Sequence, residues 1–153
     1  MYQTPNRVLF VAPARGGDPW AQVAFVRSGD AWTEDLYGAC APQIVLAGGL
    51  NTADWWLDPT APPPGPSDRG FTALVLERVC ASGKSPEDRI APPLVSYAPD
   101  AITLIFGVRP RPGGQDCPGN PPGRFRVTLD QPIGNRQLLD GGSIPARDAR
   151  FAP

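Results

Sequence analysis

Residues 124 to 130 read Arg-Phe-Arg-Val-Thr-Leu-Asp, an alternation of polar and apolar side chains. A period of two residues is typical of a β-strand that is buried on one face. Phe125, Val127 and Leu129 are therefore predicted to face a core, while the polar residues face the opposite side. This segment indicates a sheet whose other strands must lie elsewhere in the chain.

Further short apolar runs are separated by turns rich in glycine and proline. Residues 30–39 and 50–57 leave room for a helical turn, although neither shows a sustained period of 3.6 residues. Short strands with frequent turn signals predict an all-β fold, namely an antiparallel β-sandwich of immunoglobulin-like or barrel-like form with long Pro- and Gly-rich loops. The other predicted strands are residues 7–12, 22–27, 43–47, 71–80, 94–97 and 101–109.

Two pairs of these strands are predicted to form hairpins. Residues 94–97 lead into the 101–109 strand through Pro99-Asp100, a dipeptide that suits a type I turn. The strands at 7–12 and 22–27 are joined by a Gly- and Pro-rich segment, which predicts a long hairpin.

The segment DPTAPPPGPS at residues 58–67 is the clearest interruption of the strand pattern. Three consecutive prolines favour an extended polyproline II conformation. We interpret the segment as a surface strap within a single β domain spanning residues 1–153, because neither half alone has enough strands for a robust core. The alternative is a linker between a Trp-rich N-terminal part at 1–57 and a C-terminal part at 68–153.

Composition excludes several classes of function. The 153-residue chain has no histidine and a formal net charge of −1, so Ser-His or Cys-His catalysis and His-containing metal sites are ruled out. The near-neutral charge disfavours nucleic acid as a partner, and no segment has the ~20 consecutive apolar residues of a membrane span. No catalytic residue, metal site or cofactor is predicted.

Three motifs lie between residues 77 and 142: ERVCASGKSPEDRI, PPLVSYAPDAITLIFGVRPRPGGQDCPGNPP and VTLDQPIGNRQLLDGG. Together they resemble a family of small exported proteins and lipoproteins of high-GC bacteria. That family shows a Cys-Ala-Ser-Gly turn, a strand ending in Val-Arg-Pro and a Gln-x-Cys-Pro-x-Asn-Pro loop. It closes with Pro-Leu-Gly-x-Arg-x-Leu-Leu-Asp-Gly, where this chain has Ile133 instead of the leucine. The resemblance implies export and carries no activity.

The same resemblance implies a disulfide between Cys80 and Cys117, which would staple the loop at residues 110–123 to the end of the 71–80 strand. Two buried free thiols in a cytosolic protein are the alternative interpretation. Cys40 would then be free, buried or linked to another chain.

The N-terminus bears on location. Residues 1–6 lack the basic region and apolar stretch of a signal peptide, so the chain is either cytosolic or an exported protein whose signal is replaced by Met1. The disulfide that the resemblance implies favours an extracellular or cell-envelope location.

Arginines gather around the predicted loop. If the 101–109 and 124–130 strands pair antiparallel, the arginines at their loop ends come close together. Guanidinium groups bind carboxylates and other anions through paired hydrogen bonds, so this end of the sheet is a candidate binding site. The alternative is a structural network in which acidic neighbours hold the loop. The candidate binding residues here are Arg109, Arg111, Gln115, Asp116, Asn120 and Arg124.

The four tryptophans all lie within the first 57 residues. In an extended strand, Trp55 and Trp56 point to opposite faces, so one ring is expected to remain accessible. Trp20 follows a Gly- and Pro-rich segment and is expected to be exposed. Exposed tryptophans often form platforms for a protein or a sugar ring, and core packing is the alternative.

These features predict a non-catalytic binding module, secreted or in the cell envelope, that contacts a protein or a glycan. One alternative is a structural subunit in which an edge strand such as 7–12 pairs with a neighbouring chain. Another is a small glycosidase-like hydrolase that uses a carboxylate pair, although no spacing requires it. The carboxylates available for such a pair are Asp30, Glu34, Asp35, Asp54 and Asp58.

Overall fold

A computed structural model describes residues 2–12, 21–38 and 44–153 of the chain. The chain divides into two compact units, Met1–Gln43 and Ile44–Pro153. The regular secondary structure of the described residues is β-strand apart from one 3₁₀ turn, which confirms the predicted all-β class. The strands are β1 (Tyr2–Thr4), β2 (Arg7–Ala12), β3 (Ala21–Ser28), β4 (Ala31–Gly38), β5 (Asn51–Leu57), β6 (Gly70–Glu77), β7 (Leu94–Tyr97), β8 (Ala101–Val108), β9 (Gly123–Thr128), β10 (Gln137–Asp140) and β11 (Arg147–Asp148).

The first unit is a four-stranded antiparallel sheet in the order β1-β2-β3-β4. The predicted hairpin of β2 and β3 is confirmed, with Val8 opposite Phe25 in the register. Because β2 lies between β1 and β3, the prediction that residues 7–12 form an edge strand is wrong. The described edges are β1 and β4.

The second unit contains seven strands, and β8 is the central one because it pairs with three others. β8 pairs with β7 and β10 through its first half, and with β5 through residues 106–108. β5, β6 and β9 continue the sheet on one side, and β11 follows β10 on the other. All these pairings are antiparallel except that of β8 with β10, which is parallel. One strand thus belongs to two sheets, and both sheets contribute to one core.

The core of the second unit is built on alternate residues of β8. Ile102, Leu104 and Phe106 point inward and are fully buried. Trp55 of β5 fills the centre, with its ring stacked on Phe71 at 5.6 Å between centroids. The indole Nε1 donates a hydrogen bond to the Leu104 carbonyl at 3.0 Å, which satisfies the polar atom of this buried ring. The Cys80–Cys117 disulfide lies in the same unit. The two packed sheets and this disulfide together confirm the predicted disulfide-stapled β-sandwich.

Two predictions about strands are wrong. Residues 44–46 are not a strand, and a short 3₁₀ turn follows at Ala47–Gly49. The segments 30–39 and 50–57, which leave room for a helical turn but show no sustained helical period, hold β4 and β5. The strands β8 and β9 do not pair, because β5 and β6 lie between them.

The proline strap joins β5 to β6, two strands that pair directly with each other. The described strap therefore lies within the second unit, and the boundary between the units falls at residues 43 and 44. Asp68 anchors its end: its carboxylate accepts a hydrogen bond from the Gly65 N–H at 2.7 Å. The backbone of Asp68 also accepts from the Ile133 N–H at 2.8 Å, which ties the strap to the loop after β9.

Candidate functional site

The disulfide between Cys80 and Cys117 is present, with its Cα atoms 4.6 Å apart. The loop that it holds is also fixed by hydrogen bonds to Ser82. The Ser82 N–H donates to the Asp116 carbonyl at 3.0 Å, and the Asp116 N–H donates to the Ser82 hydroxyl at 3.1 Å. Cys40 lies outside the described residues.

Two polar side chains of the candidate loop are used to hold the loop itself. Asn120 donates through Nδ2 to the carbonyls of Glu77 at 3.1 Å and Val79 at 2.7 Å. Gln115 donates to the Pro112 carbonyl at 2.9 Å and accepts from the Ser82 hydroxyl at 3.1 Å. These hydrogen bonds favour a structural role for both residues.

The predicted arginine cluster does not form, because β8 and β9 are separated by two strands. The expectation that Arg109 and Arg124 come close together is therefore wrong. Arg109 is exposed at the end of β8, and Arg111 is half-buried in the loop. Arg124 instead contacts Asp58 at the start of the proline strap, with Nε 3.0 Å from Oδ2.

Acidic residues near the disulfide have arginine partners of their own. Glu77 is held by Arg89, whose Nη2 lies 2.5 Å from a carboxylate oxygen. Arg78 contacts both oxygens of Asp54, at 3.0 and 2.5 Å, and this hydrogen bonding raises the pKa of the Arg78 guanidinium further above its ordinary value. A cavity of about 560 Å³ beside the disulfide is lined by Asp54 and Arg78, among others, but their charges already neutralise each other.

A second carboxylate, Asp140, is fully buried at the junction of β5, β8 and β10. It accepts hydrogen bonds from Arg147 Nη2 at 2.9 Å, from the Gly142 N–H at 2.9 Å and from the Trp55 N–H at 3.3 Å. Burial raises the pKa of the Asp140 carboxyl, although these hydrogen bonds act in the opposite direction. Asp140 was not among the predicted site residues, because the Leu-Leu-Asp-Gly motif that contains it carries no assigned role.

The tryptophans are placed very differently from one another. Trp55 belongs to the core and is not available to a ligand, which corrects its inclusion among the binding residues. Trp56 lies on the opposite face of β5 and is half-buried, as expected for a neighbour in an extended strand. Trp32 of β4 is 44% exposed, and Trp20 lies outside the described residues.

The face of β5, β6 and β9 that points away from the core carries Trp56 and is called the outer face here. Directly paired residues of antiparallel strands project to the same side. The pairing of Trp56 with Leu74, and of Leu74 with Arg124, therefore places these three side chains in one row. The next rows along the two longer strands pair Thr72 with Arg126, and Gly70 with Thr128.

A groove of about 520 Å³ runs between the outer face and the proline strap. This groove is called the strap groove. Its apolar wall is formed by Pro62, Pro63 and Pro64, and its polar wall includes Thr72 and Arg126. Its volume falls within the roughly 300–1,000 Å³ that is usual for small-molecule sites.

The strap groove was not predicted from the sequence. The alternation in residues 124–130 does place Arg126 and Thr128 on the polar face of β9, and that signal was available. The path of the strap, which brings three prolines over that face, could not be predicted from the sequence.

Asp58 fixes the start of the strap and provides a test of its attachment. Its Oδ1 accepts from the Thr60 hydroxyl at 2.7 Å and from the Thr60 N–H at 2.9 Å. These hydrogen bonds, together with Arg124, hold the pKa of the Asp58 carboxyl below its ordinary value of 3.8. Since the folded state binds this proton less tightly than the unfolded state, Asp58 stabilises the fold above pH 3.8.

We therefore expect Asp58→Asn to lower the melting temperature at neutral pH. The difference from the wild type should disappear as the pH falls below 3.8, through the folded pKa of Asp58. Thermal unfolding followed by circular dichroism between pH 2 and pH 7 measures this directly. A difference that stays constant over the whole range would contradict the assigned role of the carboxylate.

Among the described residues, no helix is long and apolar enough to cross a membrane. The resemblance carried by the three motifs between residues 77 and 142 stays a prediction. Comparison with known proteins returned no matching family model, no matching curated protein and no matching solved structure.

Proposed function

We propose that the chain is a non-catalytic binding module of a secreted or cell-envelope protein, and that its ligand contacts the outer face between Trp56 and the strap groove. The position of Trp56 carries this proposal. Its half-buried ring lies in one row with Leu74 and the guanidinium of Arg124. A large ring that is anchored in the sheet but keeps an accessible surface contributes binding energy at a small cost in side-chain entropy.

The pairing of Asp140 and Asp54 with arginine supports a role in binding rather than catalysis. Arg147 Nη2 lies 2.9 Å from Asp140 and 3.7 Å from Asp54, so one guanidinium bridges the two carboxylates. Asp140 is 0% exposed and does not reach a ligand. A glycosidase pair needs an open space between its carboxyl groups for the sugar and the attacking water, and this pair is filled by an arginine.

The disulfide supports the proposed location. Disulfides persist in oxidising compartments and are rare in the cytosol. Both Cys80 and Cys117 are exposed, so the thiol–disulfide systems of a reducing cytosol would have access to the bond. An extracellular or envelope environment is the setting in which the observed structure would be maintained.

A screen of the immobilised protein against glycans and cell-surface proteins tests the proposal, with Trp56→Ala as the diagnostic variant. Loss of a central aromatic anchor typically costs 2 kcal/mol or more, about a thirtyfold loss in affinity. Trp32→Ala is the matched control, because it removes an exposed tryptophan from the other unit. We expect Trp56→Ala to weaken binding at least tenfold and Trp32→Ala to leave it unchanged.

Two results would count against the proposal. Equal binding by both variants would show that the ligand does not use the outer face. Turnover of any substrate in the same panel would instead favour the hydrolase alternative.

A further inference from the structure

We propose that the strap groove binds the carboxylate of an acidic saccharide, a sugar of the uronic acid class, and that Arg126 is its charged ligand. This inference rests on the proposed binding function and names the class of ligand. It is carried by one arginine that has no partner among the described residues, by two threonines beside it and by the prolines that line the same groove.

Arg126 differs from the other arginines that surround the groove. Arg124 is paired with Asp58, and Arg69 donates through Nη1 to the Asp130 carbonyl. Within the described parts of the chain, the Arg126 guanidinium has no hydrogen-bond acceptor and no ion-pair partner. Its Nη2 lies over β6, 3.7 Å from the position that a Cβ of Gly70 would occupy. The unused charge is therefore directed across the sheet into the groove.

The hydroxyl groups of Thr72 and Thr128 complete a polar wall around this guanidinium. Thr72 is the direct cross-strand partner of Arg126, and Thr128 lies two residues farther along the same strand. All three side chains project from the outer face, with a spacing of about 5 Å across the strands and about 7 Å along them. A guanidinium binds a carboxylate through two parallel hydrogen bonds, and a threonine hydroxyl donates a third.

The charge of the groove favours a ligand with one negative charge per binding unit. Asp68 lines the same groove, and its carboxylate partly offsets the positive charges of Arg69 and Arg126. Polyanions such as nucleic acids or heavily sulfated glycans are bound by many basic groups together. The strap groove has a single arginine without a partner among the described residues, and the chain has a net charge of −1, so the groove does not provide such a surface.

The rest of the groove suits a sugar ring. The prolines at 62–64 present C–H surfaces to the groove, and the carboxylate of Asp68, which also lines it, can accept hydrogen bonds from sugar hydroxyls. The volume of the groove, about 520 Å³, lies in the range that is usual for small-molecule sites. Trp56 lies in the next row of the outer face, where a neighbouring sugar residue would reach it.

The test is a calorimetric titration of the full chain with uronate oligosaccharides, for which we would use oligogalacturonate, oligomannuronate and oligoglucuronate. Each is compared with its methyl-esterified form, which keeps the sugar and removes the charge. We expect at least one acid to bind at least tenfold more tightly than its ester. Arg126→Gln should reduce that affinity by about tenfold to a hundredfold, the usual effect of losing a charge-assisted hydrogen bond.

Arg109→Gln is the matched control, since it removes one exposed arginine at the end of β8, away from the groove. It should leave affinity unchanged, while Arg126→Lys should restore only part of the loss, because lysine lacks the paired donors. Equal binding of acid and ester, equal effects of the two glutamine variants, or no binding by any of the three acids would overturn the inference. If the screen with Trp56→Ala still identifies another ligand on the outer face, the proposed function stands without the acidic saccharide.

Discussion

Replacement of both bridging cysteines by serine, in a Cys40→Ser background, is expected to lower the free energy of unfolding by about 4 kcal/mol. The estimate follows from the separation of 37 residues between Cys80 and Cys117, because a cross-link of that span removes many conformations from the unfolded chain. Urea unfolding of the variant and its Cys40→Ser parent, followed by tryptophan fluorescence, measures the difference. The Cys40→Ser background leaves the disulfide as the only thiol chemistry.

The expected loss is a large fraction of the roughly 5–15 kcal/mol that stabilises a typical domain. The core around Trp55 does not include the disulfide, so the variant should still fold in water with a lower urea midpoint. Reduction of the parent protein should reproduce the midpoint of the serine variant. An unchanged midpoint after complete reduction would show that the hydrogen bonds of Ser82 and Asn120 hold the loop without the bridge.

The strands that were predicted correctly alternate apolar and polar residues, or pair with the strand next to them in the sequence. β7 and β8 are adjacent in the chain, and the turn between them is closed by a hydrogen bond from the Ala98 N–H to the Ala101 carbonyl at 2.8 Å. β8 and β9 each bury alternate residues, as their sequences indicate. In these segments, one buried face is enough to specify strand and orientation.

The strands β4 and β5 were not predicted from the sequence. β5 places Trp55 in the core and Trp56 on the outer face. Because both faces carry a large aromatic residue, its sequence shows no alternation of apolar and polar residues. β4 carries Glu34 and Asp35 in succession and is exposed along most of its length. Hydrophobic periodicity reports burial on one face, and it fails where burial is symmetric or absent.

The order of the strands was not available from local pattern at all. β8 pairs with β5, which precedes it by more than 40 residues in the chain, and the parallel partner β10 lies beyond β9. For this reason the arginines at the ends of β8 and β9 were wrongly expected to form a cluster. Arg126, which faces the strap groove, belongs to a site that only the strap's path creates.

Asp140→Ala is expected to lower the free energy of unfolding by about 3–5 kcal/mol at pH 7, the usual result of removing one partner from a buried ion pair. The carboxylate accepts hydrogen bonds from Arg147, from Gly142 and from Trp55. Its loss leaves the backbone N–H groups of Gly142 and Trp55 without this acceptor, and it leaves Arg147 with only its longer contacts to Asp54 and to the Trp55 carbonyl. Urea unfolding of the variant measures the change. Asp148→Ala is the control, because Asp148 pairs with the exposed Arg150 and such surface pairs contribute little.

The pH dependence of Asp140→Asn separates the charge from the hydrogen bonds. Burial raises the pKa of Asp140 in the folded state above the ordinary value of 3.8. Between pH 3.8 and the folded pKa, the carboxyl therefore keeps its proton in the folded state but has lost it in the unfolded chain. The free energy of unfolding contributed by Asp140 is therefore greatest below pH 3.8 and decreases as the pH rises through the folded pKa. This is opposite in sign to the contribution of Asp58.

Asparagine has no such titration, so the advantage of the wild type over Asp140→Asn should be largest at acid pH and should shrink as the pH rises. The variant should also be more stable than Asp140→Ala at pH 7, because its amide oxygen still accepts one of the backbone N–H groups. An advantage that instead grows with pH would mean that Arg147 outweighs burial and lowers the pKa of Asp140. In that case the ion pairs of Arg147 with Asp140 and Asp54 would stabilise the fold at neutral pH. The ionised Asp140 carboxylate would then not reduce the free energy of unfolding.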